Sequence, residues 1–357
     1  MAHSNTLTSA THQGPSLLRR FINRSEFTLD AIGLGFIIPL LKMGAGDNVK
    51  EQLVELRHRI LIPMLGISVF LLAWAALAPK VNTSLGAIPG PVQVFEQTGV
   101  LIADHARERA KEEAFFERLE ERNEKLRAAG QEDRIKERAY TGKPTYFDQI
   151  GTSLITVALG FLIATVIAIP LGIASGLSKT INGALNPLIQ LFKPVSPLAW
   201  LPIVTMVVSA LYVDTSDWLP KSLVVSAVTV TLCSLWPTMI NTTLGVSSVD
   251  KDLMNVGKVL QLPTWQTITK VVMPSAMPLI FTGLRFSLGV GWMVLIAAEM
   301  LSQNPGLGKF VWDEFQNGSS DSLARIIVAV LTIGLIGFIL DRLMFALQQA
   351  FTFNANR

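Results

Sequence analysis

Arg285, Trp292 and Glu299 recur at every seventh position of one apolar stretch. On a helix such residues drift only slightly and form a single stripe. Ionisable groups inside a membrane segment are costly and mark ion or substrate pathways by default. Arg285 can compensate a passing anion, whereas Glu299 is expected to pair with a cation near an outer gate. Helix–helix ion pairing is the alternative for both. A second group, Lys193, Ser196 and Trp200, lies where Pro194, Pro197 and Pro202 crowd another apolar segment. Each proline removes a backbone donor and disrupts the helix locally. In a bilayer, broken backbone is tolerated only where protein or a water-filled cavity satisfies it. A break is therefore a pointer to a transport path, with a simple kink as the competing reading. Lys193 and Ser196 can attract an anion there, although snorkelling at the cytoplasmic interface also accounts for Lys193.

Other chemistries fail on residue type. His3, His12, His58 and His105 all fall outside the apolar stretches. No His, Cys and carboxylate grouping has metal-ligand spacing, and no Ser/His/Asp set can be assembled in the stretches. Gly306-Leu-Gly-Lys309 resembles a fragment of a phosphate loop, but Gln303 stands at its first glycine position and Phe310 follows the lysine. No catalytic residue, metal or cofactor is expected, and any ATP hydrolysis must come from another chain. The net charge of +3, without a basic-aromatic patch, argues against nucleic acid. A single cysteine, Cys233, excludes a disulfide framework.

The stretches holding these residues read as membrane spans. Half of the 357 residues are hydrophobic and only 16% are charged, against about 25% in a soluble domain. The mean hydropathy is +0.43. A spanning helix needs about 20 apolar residues. Six segments qualify, at 60–78, 150–178, 194–213, 222–249, 277–300 and 323–346, with Arg325 and Arg342 snorkelling at the ends of the last. The expected fold is all-α: a polytopic membrane protein of about six transmembrane helices, five of them in a core over 150–346. Residues 1–59 form a cytoplasmic segment without the apolar region of a signal peptide. Within it, Ala31–Leu41 is too short to span and reads as an interfacial helix. Residues 347–357 are a cytoplasmic tail.

Orientation follows from charge. Lys42, Lys50, Arg57, Arg59, Lys179, Lys251, Lys258, Lys270 and Arg342 all fall inside if the N-terminus is cytoplasmic. The two short outer loops hold Lys221 and Lys309 beside Asp214, Asp217, Asp313, Glu314 and Asp321. The long outer loop, 79–149, is dense in Glu, Arg and Lys. It reads as a solvated helical hairpin, or as a docking arm for a partner on the periplasmic face.

A cytoplasmic stretch, Val246–Pro274, separates the fourth and fifth spans. Val249, Leu253, Val256 and Leu260 share one helical face. Ser248 is expected to cap this helix and Pro263 to stop it. Thr264 is expected to cap a second, whose Trp265, Ile268 and Val272 share a face. Two brief helices make a knob that a soluble partner can grip in a groove.

Asn255-Val-Gly-Lys-Val-Leu-Gln261, nine residues, then Val271-Val-Met-Pro274 resembles the EAA loop of ATP-binding-cassette importer permeases. Its pattern is Glu-Ala-Ala, three residues, Gly, nine residues, Ile-x-Leu-Pro. The spacing is kept, but Asn255 stands for Glu, Gly257 for Ala and Gln261 for Gly. The last departure bears on the left-handed turn that glycine favours. Lys193-Pro-Val-Ser-Pro-Leu-Ala-Trp-Leu-Pro-Ile203 is similar to the nitrate, sulfonate, taurine and bicarbonate branch of that family. So is Gly291-Trp-Met-Val-Leu-Ile-Ala-Ala-Glu-Met300 followed by Gly306-Leu-Gly308. The likeness covers about Ile150 to Phe345, and Pro194 to Trp200 leans toward nitrate-type members. The charged loop departs from that subgroup.

The resemblance implies a type I permease of the bacterial inner membrane that is not itself an enzyme. Its partners would be cytoplasmic ATPase subunits, a periplasmic or lipoprotein substrate-binding protein, and a second permease copy forming a homodimer in the bilayer. Leu253, Asn255, Val256, Gly257, Gln261 and Pro274 would couple to the ATPase. Lys193, Ser196, Trp200, Arg285, Trp292 and Glu299 would border the path. The implied cargo is nitrate, with nitrite or cyanate, then sulfonate or taurine, then bicarbonate. A secondary anion transporter would need acidic or histidine relays in its spans, and a membrane anchor would not explain the loop spacing.

Overall fold

The computed structural model describes residues 35–44, 48–83, 86–135, 138–212, 219–319 and 321–355. Asp214, Asp217 and the N-terminal residues before 35 lie outside that range. The described chain is all-α apart from one minimal hairpin, Asn82–Thr83 against Gly86–Ala87. Its helices are α1 (Ile37–Gly44), α2 (Val49–Leu56), α3 (Ile62–Leu77), α4 (Pro91–Ala128), α5 (Tyr146–Leu177), α6 (Lys179–Phe192), α7 (Pro197–Leu211), α8 (Lys221–Ser247), α9 (Lys251–Val259), α10 (Thr264–Thr267), α11 (Met273–Ser302), α12 (Leu307–Asn317) and α13 (Ser322–Ala355). Among the described residues five stretches are long and apolar enough to cross a bilayer, or six if the bent pair α6–α7 is one span.

α8 sits between α5 and α11 at the centre of the bundle. Lipid removes the hydrophobic drive between helices, so close backbone approach and hydroxyl bonds must hold them. Both are present. A Cβ at Gly160 would lie 2.7 Å from the Ala227 carbonyl, and one at Gly283 would lie 2.7 Å from Asn241 Cβ. Thr231 Oγ1 donates to the Gly160 carbonyl at 3.0 Å, and the Thr238 N–H donates to Ser287 Oγ at 3.0 Å. α13 packs on α11, α12 and α4. α3 has no buried residue; Trp74 Nε1 tethers it by donating to the Pro89 carbonyl at 3.2 Å.

Two expectations change. The segment 194–213 is not one straight helix: its α7 pairs with α6, and their axes differ by 103° across a short break, as in a broken span or a re-entrant loop. Lys193 ends α6; Pro194 follows, and Ser196 then turns extended to cap α7 with Pro197 in its first turn. The charged loop holds one helix of 38 residues, α4, rather than a hairpin. No glycine or proline interrupts it between Gly99 and Gly130. Gly130, at φ 67°, ends it, with Gln131 N–H bonded to the Leu126 carbonyl at 3.0 Å.

The first half of α4 is fastened to the bundle. Val94 and Leu101 are buried, His105 Nδ1 lies 2.8 Å from Thr145 Oγ1, and Arg109 pairs with Asp148 at 2.5 Å. Tyr140 donates to Glu108 at 2.7 Å. That bond, aided by Lys111, holds the Glu108 carboxyl below the ordinary carboxylate range.

Candidate functional site

The knob between α8 and α11 forms as expected, with different caps. α8 continues to Ser247, so Asp250 rather than Ser248 caps α9, its carboxylate accepting from Asp252 N–H at 2.9 Å. Pro263, not Thr264, precedes α10 as its cap residue. Gly257 is buried, and a Cβ there would meet Thr267 at 3.9 Å, so the alanine usual at this position would fit. Pro274 cannot donate to the Lys270 carbonyl. The ladder slips to a π turn over Ile268–Val272, closed by Met273 N–H on the Ile268 carbonyl. Leu253, Val256, Val259, Leu260 and Trp265 are left exposed on the knob, with Asn255 beside them.

Gln261 makes the left-handed turn despite its side chain, at φ 49°. Leu262 N–H reaches the Gly257 carbonyl at 3.0 Å and Gln261 N–H the Lys258 carbonyl at 3.0 Å, a complete Schellman closure. The left-handed conformation costs an L-residue about 1–2 kcal/mol. Gln261→Gly is therefore expected to stabilise the protein by about 1 kcal/mol. A higher melting temperature of the purified chain would register it.

At the other candidate region, Lys193, Ser196 and Trp200 line one cavity of about 380 Å³ at the elbow between α6 and α7. Lys193 is exposed at the end of α6. The cavity also touches Cys233 and Trp236, midway along α8, and Val290, Met293 and Val294 of α11, because α6 covers the knob half of α8 and α7 the opposite half.

The stripe on α11 divides into three separate roles. Arg285 makes a two-pronged ion pair with Asp341 of α13, Nε to Oδ1 at 2.5 Å and Nη2 to Oδ2 at 2.7 Å. Its guanidinium also lies 5.2 Å from the centre of the Phe345 ring. Arg285→Ala leaves Asp341 without its partner, so it is expected to lower the melting temperature of the solubilised protein, and Asp341→Ala added to it should restore most of the loss. Trp292 is buried and donates from Nε1 to the Ile333 carbonyl at 2.9 Å. Glu299 has no cation partner among the described residues. Fully buried, it accepts from Ser153 Oγ at 2.8 and 2.9 Å and from Gly308 N–H at 2.9 Å. Ser153 in turn accepts from Leu307 N–H at 2.9 Å. The carboxylate thus sits at the start of α12, where helix amides favour negative charge. Gly306 and Gly308 leave the room: a Cβ at either would fall 2.1 Å from Glu299 Oε1 or the Ile296 carbonyl.

Sequence reasoning missed Asp341, Ser153, Trp236 and Cys233 as parts of these arrangements. Asp341 had a signal, an acid directly after the apolar centre of the last span. The others are ordinary residues of apolar segments and become visible only when helices pair.

The profile of the family described as "Binding-protein-dependent transport system inner membrane component" matches residues 168–353. The range includes the elbow, the knob and the α11 stripe. The nitrate import permease of Synechocystis sp. is 34% identical over 291 residues, which cover 82% of this chain and 89% of that protein. The bicarbonate transport system permease of Synechococcus elongatus is 34% identical, covering 81% of this chain and 88% of that protein. The taurine transport system permease of Escherichia coli is 34% identical over 208 residues, 58% of this chain and 70% of that protein.

Proposed function

The chain belongs to the family of binding-protein-dependent transport system inner membrane components, and on that premise we propose that it is the membrane-spanning subunit of an ATP-driven importer of nitrate. The observation that carries this reading is the similarity to a nitrate permease over most of both chains. The motif at Pro194 to Trp200 supports it. Two copies would stand together, each presenting its knob to a cytoplasmic ATPase, while an external binding protein selects and delivers the anion. Closure of the ATPases would draw the knobs together and switch the spans from inward-facing to outward-facing. Leu253, Asn255, Val256, Gly257, Gln261 and Pro274 belong to that coupling element. Nitrite and cyanate are companion cargoes.

Bicarbonate is the second reading. Its permease relative matches as much of the chain as the nitrate relative does, and the taurine relative matches less. That order reverses the one expected from the motifs. Growth on limiting nitrate, in a strain lacking other nitrate transporters, tests the assignment. Loss of growth on removing the gene supports nitrate. Unchanged nitrate uptake with lost growth at low bicarbonate transfers the cargo to bicarbonate.

The proposed orientation has 1–59, the knob and the tail inside, and 79–149 outside. In a Cys233→Ser background, a cysteine at Ala128 should react with an impermeant thiol reagent on intact spheroplasts and one at Ser247 should not. The reverse pattern would invert the topology.

A further inference from the structure

α4 changes character at Asp104. Between Pro91 and Ala103 one charged residue occurs, Glu96, whereas 15 of the 25 residues from Asp104 to Ala128 are charged. In the sparsely charged part, Val92, Phe95, Gly99 and Ile102 recur at helical spacing and share one face. Val92 is 70% exposed, Phe95 80% and Ile102 53%. Glu96 stands at the edge of that face. We propose that these first turns of α4 lie in the membrane leaflet opposite the knob, with Val92, Phe95 and Ile102 against lipid acyl chains, and that α4 leaves the bilayer near Asp104.

The depth follows from what α4 packs on. Leu101 and Glu108 line a cavity with Thr145 at the start of α5, Phe310 of α12 and Arg325 of α13, so they stand level with the end of the bundle away from the knob. The turns before Leu101 run back along the spans. Val94 and Leu101 are buried in one core with Ala324 and Val328 of α13, a candidate span. Arg325 Nε donates to Gln97 Oε1 at 3.5 Å. Trp74, one turn before the end of α3, holds the Pro89 carbonyl at 3.2 Å. α3 is itself part of a candidate span and buries none of its residues, so the stripe continues the apolar surface of a span. At 1.5 Å per residue, Pro91 to Leu101 is about 15 Å, half of the roughly 30 Å hydrocarbon core. Two donors at the start of α4 are accounted for: Pro91 has no N–H, and Gly90 N–H donates to Gln93 Oε1 at 2.9 Å. Contiguous apolar surface of this kind is not left in water, and its continuity with α3 makes lipid the cover.

Nitroxide labels test the placement. In a Cys233→Ser background, Val92→Cys, Phe95→Cys, Ile102→Cys and Glu117→Cys are made singly, and each permease is spin-labelled and reconstituted in lipid nanodiscs. Collisions with oxygen, which concentrates in hydrocarbon, are compared with collisions with a neutral nickel chelate, which stays in water. At positions 92 and 95 the oxygen-to-nickel ratio should exceed that at position 117 by about tenfold, because polar groups are excluded from an apolar phase. Position 102 should fall between. Nickel access at 92 and 95 equal to that at 117 would put the stripe in water and overturn the proposal. Low access to both reagents, or cysteines that resist labelling, would put protein over the stripe, a second copy included, and overturn it equally. No nucleotide, binding protein or cargo is present, so the outcome is independent of the importer reading.

Discussion

Val256→Asp is expected to abolish recovery of the ATPase subunit with the permease and to stop uptake, while the permease still inserts and folds. Val256 is 54% exposed, and Leu253, Val259, Leu260 and Trp265 are exposed with it on the two short helices of the knob. A compact apolar patch of this kind marks a surface meant to be covered. An aspartate there must either lose its hydration in the partner's groove or keep the groove apart. Loss of an interface hot spot costs about 2–4 kcal/mol, which is roughly a 30- to 1,000-fold loss of affinity. The side chain plays no part in the bundle core, so the melting temperature of the isolated permease should stay near that of the parent. Co-purification of the ATPase at parental yield would remove the knob from the coupling role.

Gly308→Ala is expected to destabilise the opposite end of the bundle by about 2–4 kcal/mol. The added methyl would lie 2.1 Å from the Ile296 carbonyl and 2.9 Å from Glu299 Cβ. Neither the carbonyl nor the start of α12 can move without breaking the bond from Gly308 N–H to Glu299 or that from Leu307 N–H to Ser153. Those bonds tie α5, α11 and α12 together. Glu299→Ala attacks the same node from the other side, leaving the Gly308 amide and the Ser153 hydroxyl without their acceptor. Both variants should melt early in fluorescence-detected size exclusion. Parental melting of both would show that the node carries little of the stability.

The knob was legible because its information is local. Apolar spacing, Pro263 and Pro274 specify two short helices and a turn within one stretch of chain. The spans were legible for the same reason, with one informative exception. α6 carries Asn182, Asn186 and Gln190, which interrupt an apolar count and hid it as half of a bent helix pair. The neighbours of the elbow were not legible either: Ile189 packs near Met239 and Leu201 near Val225, so α6 and α7 cover different halves of α8. Charge partners were the least legible. Arg285 and Asp341 are 56 positions apart, and Ser153 and Glu299 are 146 apart. Nothing in either local sequence announces the other. In α4 the opposite error occurred: an uninterrupted run of helix formers between Gly99 and Gly130 pointed to one long helix, and the length of the loop suggested a hairpin.

ATP-driven, binding-protein-dependent import of nitrate is tested by uptake of isotopically labelled nitrate into proteoliposomes holding the permease with its ATPase, with the binding protein supplied on the side opposite the knob. Accumulation should require both ATP and the binding protein and disappear with Val256→Asp. Accumulation driven by an ion gradient without ATP, or ATP-driven accumulation of bicarbonate with none of nitrate, would contradict it.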